Sequence, residues 1–196
     1  MFPSLIDKLI RHEDLSADEA GAAMEEIMAG TAAPAHIGAL LVGLAMKGER
    51  PAEIVGLART MRRHAVPLSR RYDGVFDCCG TGGDRSATFN ISSCVAIVVA
   101  ACGVRVAKHG NRSASSRTGG ADVYEALGIR IAAPPPVVER CLAEAGIGFF
   151  FAPTFHPSMR HAAPIRRELA TRTVHPATGC SSQKTGIHPG TGFSVQ

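Results

Sequence analysis

Three short polar segments hold most of the chemistry available to this sequence. They read Phe76-Asp-Cys-Cys-Gly-Thr-Gly-Gly-Asp84, Thr88-Phe-Asn-Ile-Ser-Ser93 and Lys108-His-Gly-Asn-Arg-Ser-Ala-Ser-Ser116, and apolar runs separate them. Gly80, Gly82 and Gly83 lack a Cβ, so the backbone there can turn tightly and present N–H groups to an anion. Asn90 can cap a following helix with Ser92 and Ser93 in its first turn, adding unpaired donors and a partial positive charge. Lys108 and Arg112 are expected to bring full charges, and Ser113, Ser115 and Ser116 hydroxyl donors. Many donors and few acceptors suit a heavily phosphorylated ligand.

Taken singly, each signal is weak. The Gly-Thr-Gly-Gly loop fails the P-loop pattern because no Gly-Lys-Ser/Thr follows. It fails the dinucleotide pattern because Arg85 stands where the third Gly belongs. Alone it reads as well as a tight turn, and 108–116 as a solvated basic loop. Together, each following a short strand, they read as an anion site. Asp84 fits either a turn or the ordering of a metal–phosphate ligand. Arg166 and Arg167 fit either a solvated face or, for one of them, a planar fork on a substrate carboxylate. His156 and His161 are five apart and do not share a helical face, so structural or surface roles suit both. His109 differs because it lies inside the donor segment.

Composition narrows the field. The chain has 196 residues, 45% of them hydrophobic, no Trp and 5% aromatics, so its core must rest on Ala, Val, Ile and Leu. That length suits one domain, or a small domain and part of a larger one. Residues 1–70 hold eight Lys/Arg against nine Asp/Glu, whereas 71–196 hold thirteen against eight. The positive surplus falls on the glycine-rich half. With no basic run or aromatic-interleaved patch, it points to a phosphorylated small molecule and away from nucleic acid. The six cysteines form no C-x-x-C pair and read as reduced, buried thiols of a cytoplasmic protein. No apolar run nears the roughly 20 residues that span a bilayer, and no signal-peptide core opens the chain, so no membrane contact is expected.

The elements that position these segments follow from periodicity and punctuation. Ser4-x-x-Asp7 resembles a helix start, and Ser16-x-x-Glu19 is a capping box before a second helix that stops at Gly30. Pro34 opens a third helix, closed by Lys47-Gly48. Pro51 opens a fourth with Ile54, Leu57, Ala58 and Met61 inward. These four make a helical unit, and Pro67–Gly74 reads as a polar linker. Strand and helix then alternate. Strands are expected at 75–79, 104–107 and 147–151, and helices at 91–102, 121–127, 137–145 and 156–169. The fold class is therefore α/β, a small all-helical domain (1–70) before the first part of a largely parallel α/β domain (71–174). Ligands of such sheets bind beyond the carboxyl ends of the strands. Residues 175–196 are rich in Gly, Pro, Ser and Thr and read as an irregular tail.

The chain resembles the anthranilate phosphoribosyltransferase family of tryptophan biosynthesis. The likeness rests on Gly80-Thr-Gly-Gly-Asp84, Asn90-Ile-Ser-Ser93, Lys108 to Ser116, Asp122 with Glu125-Ala-Leu-Gly128, Phe151-Ala-Pro-Thr-Phe-His-Pro157 and Arg160 to Leu169, and runs from about Leu5 to Val174. It implies a nucleoside-phosphorylase-like fold, dimeric through the N-terminal helices. It also implies transfer of phosphoribosyl from 5-phosphoribosyl 1-diphosphate to the amine of anthranilate, with Mg2+. Carried over by position, Gly80, Gly83, Asp84, Thr88, Asn90, Ile91, Ser92, Ser93, Lys108, His109, Gly110, Asn111, Arg112, Ser113, Ala114, Ser115, Ser116 and Gly120 would hold the diphosphate substrate. Ser92 would ligate magnesium. Gly80, Asn111 and Arg166 would face anthranilate. Gly120 stands where the family usually has Ser, which removes one donor. The resemblance implies no catalytic acid or base.

From His175 the family pattern is lost, including an acidic pair for a second magnesium, so a truncated or frameshifted chain is expected. Such a chain would leave Ile97, Val99 and Phe149–Phe151 under-covered. Two other readings stay open, a pyrimidine-nucleoside-phosphorylase-like enzyme and a non-catalytic dimerising or phosphate-binding module. The Asn111-Arg112 pair and Arg166 disfavour the first.

Overall fold

A computed structural model describes residues 1–78, 90–112 and 119–169. In chain order the elements are α1 (Phe2–Ile10), α2 (Ala17–Ala29), α3 (Pro34–Lys47), α4 (Pro51–Arg63), α5 (Ile91–Ala101), β1 (Val106–Gly110), α6 (Gly120–Ala126), α7 (Pro135–Glu144), β2 (Ile147–Phe151), α8 (Ala152–Phe155), a 3-10 helix (Pro157–His161) and α9 (Ala163–Leu169). They fall into two compact units. The first holds Met1–Ala65 together with 156–169, and the second holds Val66–Phe155.

The helical unit is built on its caps. The Ser16 hydroxyl accepts the Glu19 N–H at 3.1 Å, and Glu19 Oε2 accepts the Ser16 N–H at 2.9 Å. Gly30 ends α2 in the left-handed region, φ 76°. The expected start at Ser4 is corrected. Pro3 sits in the first turn, where its missing N–H is not needed, so α1 begins at Phe2 with Met1 as its cap. Leu5, Leu9, Ala20, Ile27, Ile37, Leu40, Leu44 and Leu57 form the core. The buried face of α4 is Glu53, Gly56, Leu57, Thr60 and Met61, and the expected Ile54 and Ala58 are only half-buried. The helix turns this way because its backbone at Gly56 lies against Ala17.

Residues 156–169 pack on the same core through Ala162, Met159 and Ile165. They are not the single helix expected, since Pro164 interrupts the ladder and restarts it as α9.

In the α/β unit, β1 and β2 pair parallel over their full length, from Val106↔Ile147 to Gly110↔Phe151. The Val75 segment joins the other side of β1 by one parallel bridge, Phe76↔Val106, with Cys79 outside the described residues. The strand expected at 104–107 therefore starts two residues later and runs to Gly110. Val104 and Arg105 are exposed after Gly103, and the register of β1 is set by β2. Helix α5 starts with Asn90 as cap and stops before Gly103, φ 86°.

The 66–74 segment is tied down. Ser69 donates its N–H and hydroxyl, and Tyr72 its hydroxyl, to the carboxylate of Glu139 on α7, which is 7% exposed. Burial pushes that carboxyl up, but these bonds and the Arg70 charge outweigh it and leave it below its ordinary 4.5. A carboxyl lowered by folding contributes stability above its unfolded value and loses it as pH falls through the folded one. Glu139→Gln is expected to flatten the loss of thermal stability below about pH 4.5. Melts that steepen equally in both chains over that range would refute it.

Two expectations about burial are corrected. Cys94, Cys102 and Cys141 are exposed and Cys78 half-buried, all four as free thiols, because Cys94 and Cys141 lie on the outer faces of α5 and α7. Cys79 and Cys180 lie outside the described residues. Phe150 is 6% exposed, covered by Val138 and Leu142 of α7, so it is not an under-covered residue. Of the other residues expected to be under-covered, Ile97 is 43% exposed, whereas Val99, Phe149 and Phe151 are half-buried; Val98, not among those expected, is 60% exposed.

Candidate functional site

Two elements meet where the sequence places its donors. At the N-terminus of α5, Asn90 Oδ1 accepts the Ser93 N–H and the Ser92 hydroxyl, both at 3.1 Å. That anchors the helix end, whose first N–H groups have no intrahelical acceptor and favour anions. Ser93 is fully buried, its carbonyl accepts the Tyr124 hydroxyl at 3.4 Å, and its own hydroxyl has no hydrogen-bond partner among the described residues. Gly120, the first residue of α6, faces that hydroxyl, and a Cβ there would stand 3.4 Å from it.

The second element is the end of β1. Lys108, His109 and Gly110, read from the sequence as a donor loop, are strand residues. Lys108 is 2% exposed, and its ammonium donates to the carbonyl of His109 at 2.8 Å. It therefore braces the strand end in place of standing in solvent. Gly110 is required by packing, since a Cβ would lie 2.8 Å from the Phe149 ring. Asn111 and Arg112 are exposed. Arg112 makes a two-pronged pair with Glu125 at 2.7 and 2.8 Å and reaches Asp122 at 3.2 Å. Glu125 above all, and then Asp122, hold the guanidinium above its ordinary value. Being exposed, this pair is weakly held and open to exchange for a stronger anion.

A circuit of contacts joins the two elements. Asn111 O accepts the Ala121 N–H at 3.1 Å. Gly120 beside Ala121 faces Ser93, the carbonyl of Ser92 accepts the Cys78 thiol at 3.1 Å, and Asp77 Oδ1 accepts the His109 N–H at 3.3 Å. The circuit returns along β1 to Asn111. It encloses the carboxyl end of the sheet, the position at which such folds bind ligands. Burial pushes the Asp77 carboxyl from 3.8 up to about 6, against the downward pull of the His109 and Cys78 N–H groups and the Lys108 charge.

Of the expected site residues, Asn90, Ile91, Ser92, Ser93, Lys108, His109, Gly110, Asn111, Arg112 and Gly120 are brought together in this unit. Gly80, Gly83, Asp84, Thr88, Ser113, Ala114, Ser115 and Ser116 lie outside the described residues. Arg166 lies on α9 in the helical unit, where burial lowers its guanidinium from the ordinary value. Sequence reasoning missed Asp77 and Tyr124. The signal available for Asp77 was a lone acid in an otherwise apolar strand.

Magnesium binds through one or two protein oxygens, water and phosphate more readily than in an all-protein cage. Ser92 fits that habit, since its proton goes to Asn90 and leaves its lone pairs for a cation. Among the described residues no three His, Cys, Asp or Glu side chains could together hold a metal.

Comparison with known proteins agrees with this architecture. Residues 3–65 match the model of the glycosyl transferase family, helical bundle domain, and 72–181 that of the glycosyl transferase family, a/b domain. An anthranilate phosphoribosyltransferase of Syntrophobacter fumaroxidans is 52% identical over 183 residues, covering 93% of this chain and 54% of the relative. The crystal structure of the Thermus thermophilus anthranilate phosphoribosyltransferase superposes with a TM-score of 0.79 at 49% identity, covering 89% of this chain and 53% of that one. The Saccharomyces cerevisiae enzyme in complex with PRPP and Mg gives a TM-score of 0.81 at 26% identity, covering 91% and 53%. The chain spans about half the length of the curated relatives it matches.

Proposed function

The chain belongs to the glycosyl transferase family that joins this helical bundle to this a/b domain, and on that premise we propose that it serves phosphoribosyl transfer to anthranilate in L-tryptophan biosynthesis. The donor is 5-phosphoribosyl 1-diphosphate, and the products are N-(5-phosphoribosyl)anthranilate and diphosphate. The observation that carries the reading is the circuit of contacts that sets the N-terminus of α5 beside the end of β1. The names of the similar proteins support the choice of substrates.

In this reading Asn90–Ser93 and His109–Arg112 hold the diphosphate, with Gly80, Gly83, Asp84, Thr88, Ser113–Ser116 and Gly120 completing the shell. Lys108 braces it. Ser92 is the magnesium ligand, and the bound ion spreads the charge of the departing diphosphate. Gly80, Asn111 and Arg166 face anthranilate, Arg166 toward its carboxylate. The amine of anthranilate is a weak nucleophile, so the C1–O bond to diphosphate breaks ahead of C1–N bond formation. Fixed N–H donors that meet the leaving charge, and an amine held in line, supply the rate. Each fixed donor is worth on the order of 3 kcal/mol.

Two copies pair through the helical unit, where Ile10, Val42 and Met46 of α1 and α3 are exposed apolar side chains. The free thiols fit a reducing cytoplasm. Among the described residues no helix is long and apolar enough to cross a membrane.

Loss of anthranilate fluorescence on adding the diphosphate donor, and only with magnesium present, is the test. Diphosphate binding without turnover would leave a phosphate-binding module, and thymidine phosphorolysis would move the chain to the nucleoside phosphorylases. Arg166→Ala is expected to weaken anthranilate more than the diphosphate donor. Equal losses in the two titrations would remove that role.

A further inference from the structure

Phe76 donates its N–H to Arg105 O at 2.8 Å, and its carbonyl accepts the Ala107 N–H at 2.9 Å. This is a parallel ladder around one bridge. Were the ladder to continue, the next donor on β1, the His109 N–H, would reach the carbonyl of residue 78. It donates instead to the side chain of Asp77 at 3.3 Å. The chain is thereby released from the sheet at Cys78, whose thiol already donates to Ser92 O at the start of α5. His109 is also held by its carbonyl, which accepts the Lys108 ammonium at 2.8 Å. Fixing both polar groups of one residue fixes the direction in which the backbone leaves β1 toward Asn111 and Arg112.

We infer that Asp77 is a positioning residue of the anion site, its carboxylate oxygen setting the orientation of the His109–Arg112 backbone on which a diphosphate group binds. The inference rests on the diphosphate reading given above. A carboxyl that burial makes costly to ionise is a poor choice for packing alone, which favours a role in the site.

The test titrates inorganic diphosphate with magnesium into the full chain and into Asp77→Asn and Asp77→Ala, each checked first by thermal melt. Asp77→Asn keeps an acceptor oxygen and is expected to bind within about two-fold of wild type. Asp77→Ala loses it and is expected to bind roughly 10- to 100-fold more weakly. Equal affinity of wild type and Asp77→Ala overturns the inference and leaves the diphosphate site standing, and so does equal weakening by both variants. A wild-type chain that binds no diphosphate removes the site itself, and this role with it. If Asp77→Ala does not fold, amide exchange decides. The His109 N–H is expected to be protected in wild type and in Asp77→Asn, and unprotected exchange in wild type overturns the inference.

Discussion

Replacing Glu53 by alanine is expected to lower the unfolding free energy by about 3–5 kcal/mol, a large share of a typical domain's 5–15. The Glu53 carboxylate is fully buried and makes four contacts with three partners. Leu15 donates its N–H at 2.8 Å and Arg50 its N–H at 2.7 Å, while the Lys47 ammonium sits 3.1 and 3.2 Å from the two oxygens. Lys47 is itself 3% exposed, with Asp14 as its other acidic partner at 2.8 Å. One side chain thus closes the α1–α2 connection, the end of α3 and the start of α4. Removing it orphans the buried Leu15 N–H and the partly buried Arg50 N–H and half-strips a buried ammonium, and the buried groups carry their full desolvation penalty. Urea unfolding followed by circular dichroism reads the loss. A change below about 1 kcal/mol would mean the cluster is no more than an exposed ion pair.

The second large effect has an internal control of opposite sign. A Cβ at Gly56 would lie 2.0 Å from the carbonyl oxygen of Ala17, and backbone cannot swing aside as a side chain can. Thr60 seals the same seam by donating its hydroxyl to Gly21 O at 3.2 Å. Gly56→Ala gains about 1 kcal/mol of helix propensity. Forcing α2 and α4 apart costs typically 1–3 kcal/mol and, for a clash this deep, the upper end or beyond. A net loss of about 2 kcal/mol or more is expected. At Gly38 in α3 the nearest atom to a Cβ is Ile165 Cγ2 at 3.8 Å, an ordinary contact. Gly38→Ala should therefore gain about 0.5–1 kcal/mol. Unfolding midpoints that move in the same direction for both variants would contradict the packing described.

These two residues also show where sequence reading stops. Local signals were legible: the Ser16–Glu19 capping box, the Asn90 cap, and the helix-ending glycines Gly30, Gly103, Gly128 and Gly146, all with positive φ. Each is decided within a few residues of chain. Glu53 was not legible, because its partner Leu15 is 38 residues away and periodicity alone put Ile54 inward. Lys108 was misread for the same kind of reason. Its segment follows Gly103 and carries polar side chains, so it reads as a loop. Its pairing is fixed by Ile147–Phe151, about 40 residues later, which draws Lys108–Gly110 into the sheet and buries the ammonium. Gly110, read as part of a donor segment, also packs under the Phe149 ring, a constraint that the local sequence does not show. The donor chemistry was thus visible in residue types. The division between residues that brace the site and residues that face it depends on strand register.

That division leaves the N-terminus of α5 and the residues following β1 as two donor sets brought to one place by Asp77, Cys78, Gly120 and Ala121. The most direct measurement is an amide-resolved NMR titration of the chain with magnesium and inorganic diphosphate. The expected result is that the N–H signals of Ile91–Ser93 and of His109–Arg112 shift together along a single saturation curve. Movement of one group without the other, or of neither, would contradict the convergence on which the proposed function stands.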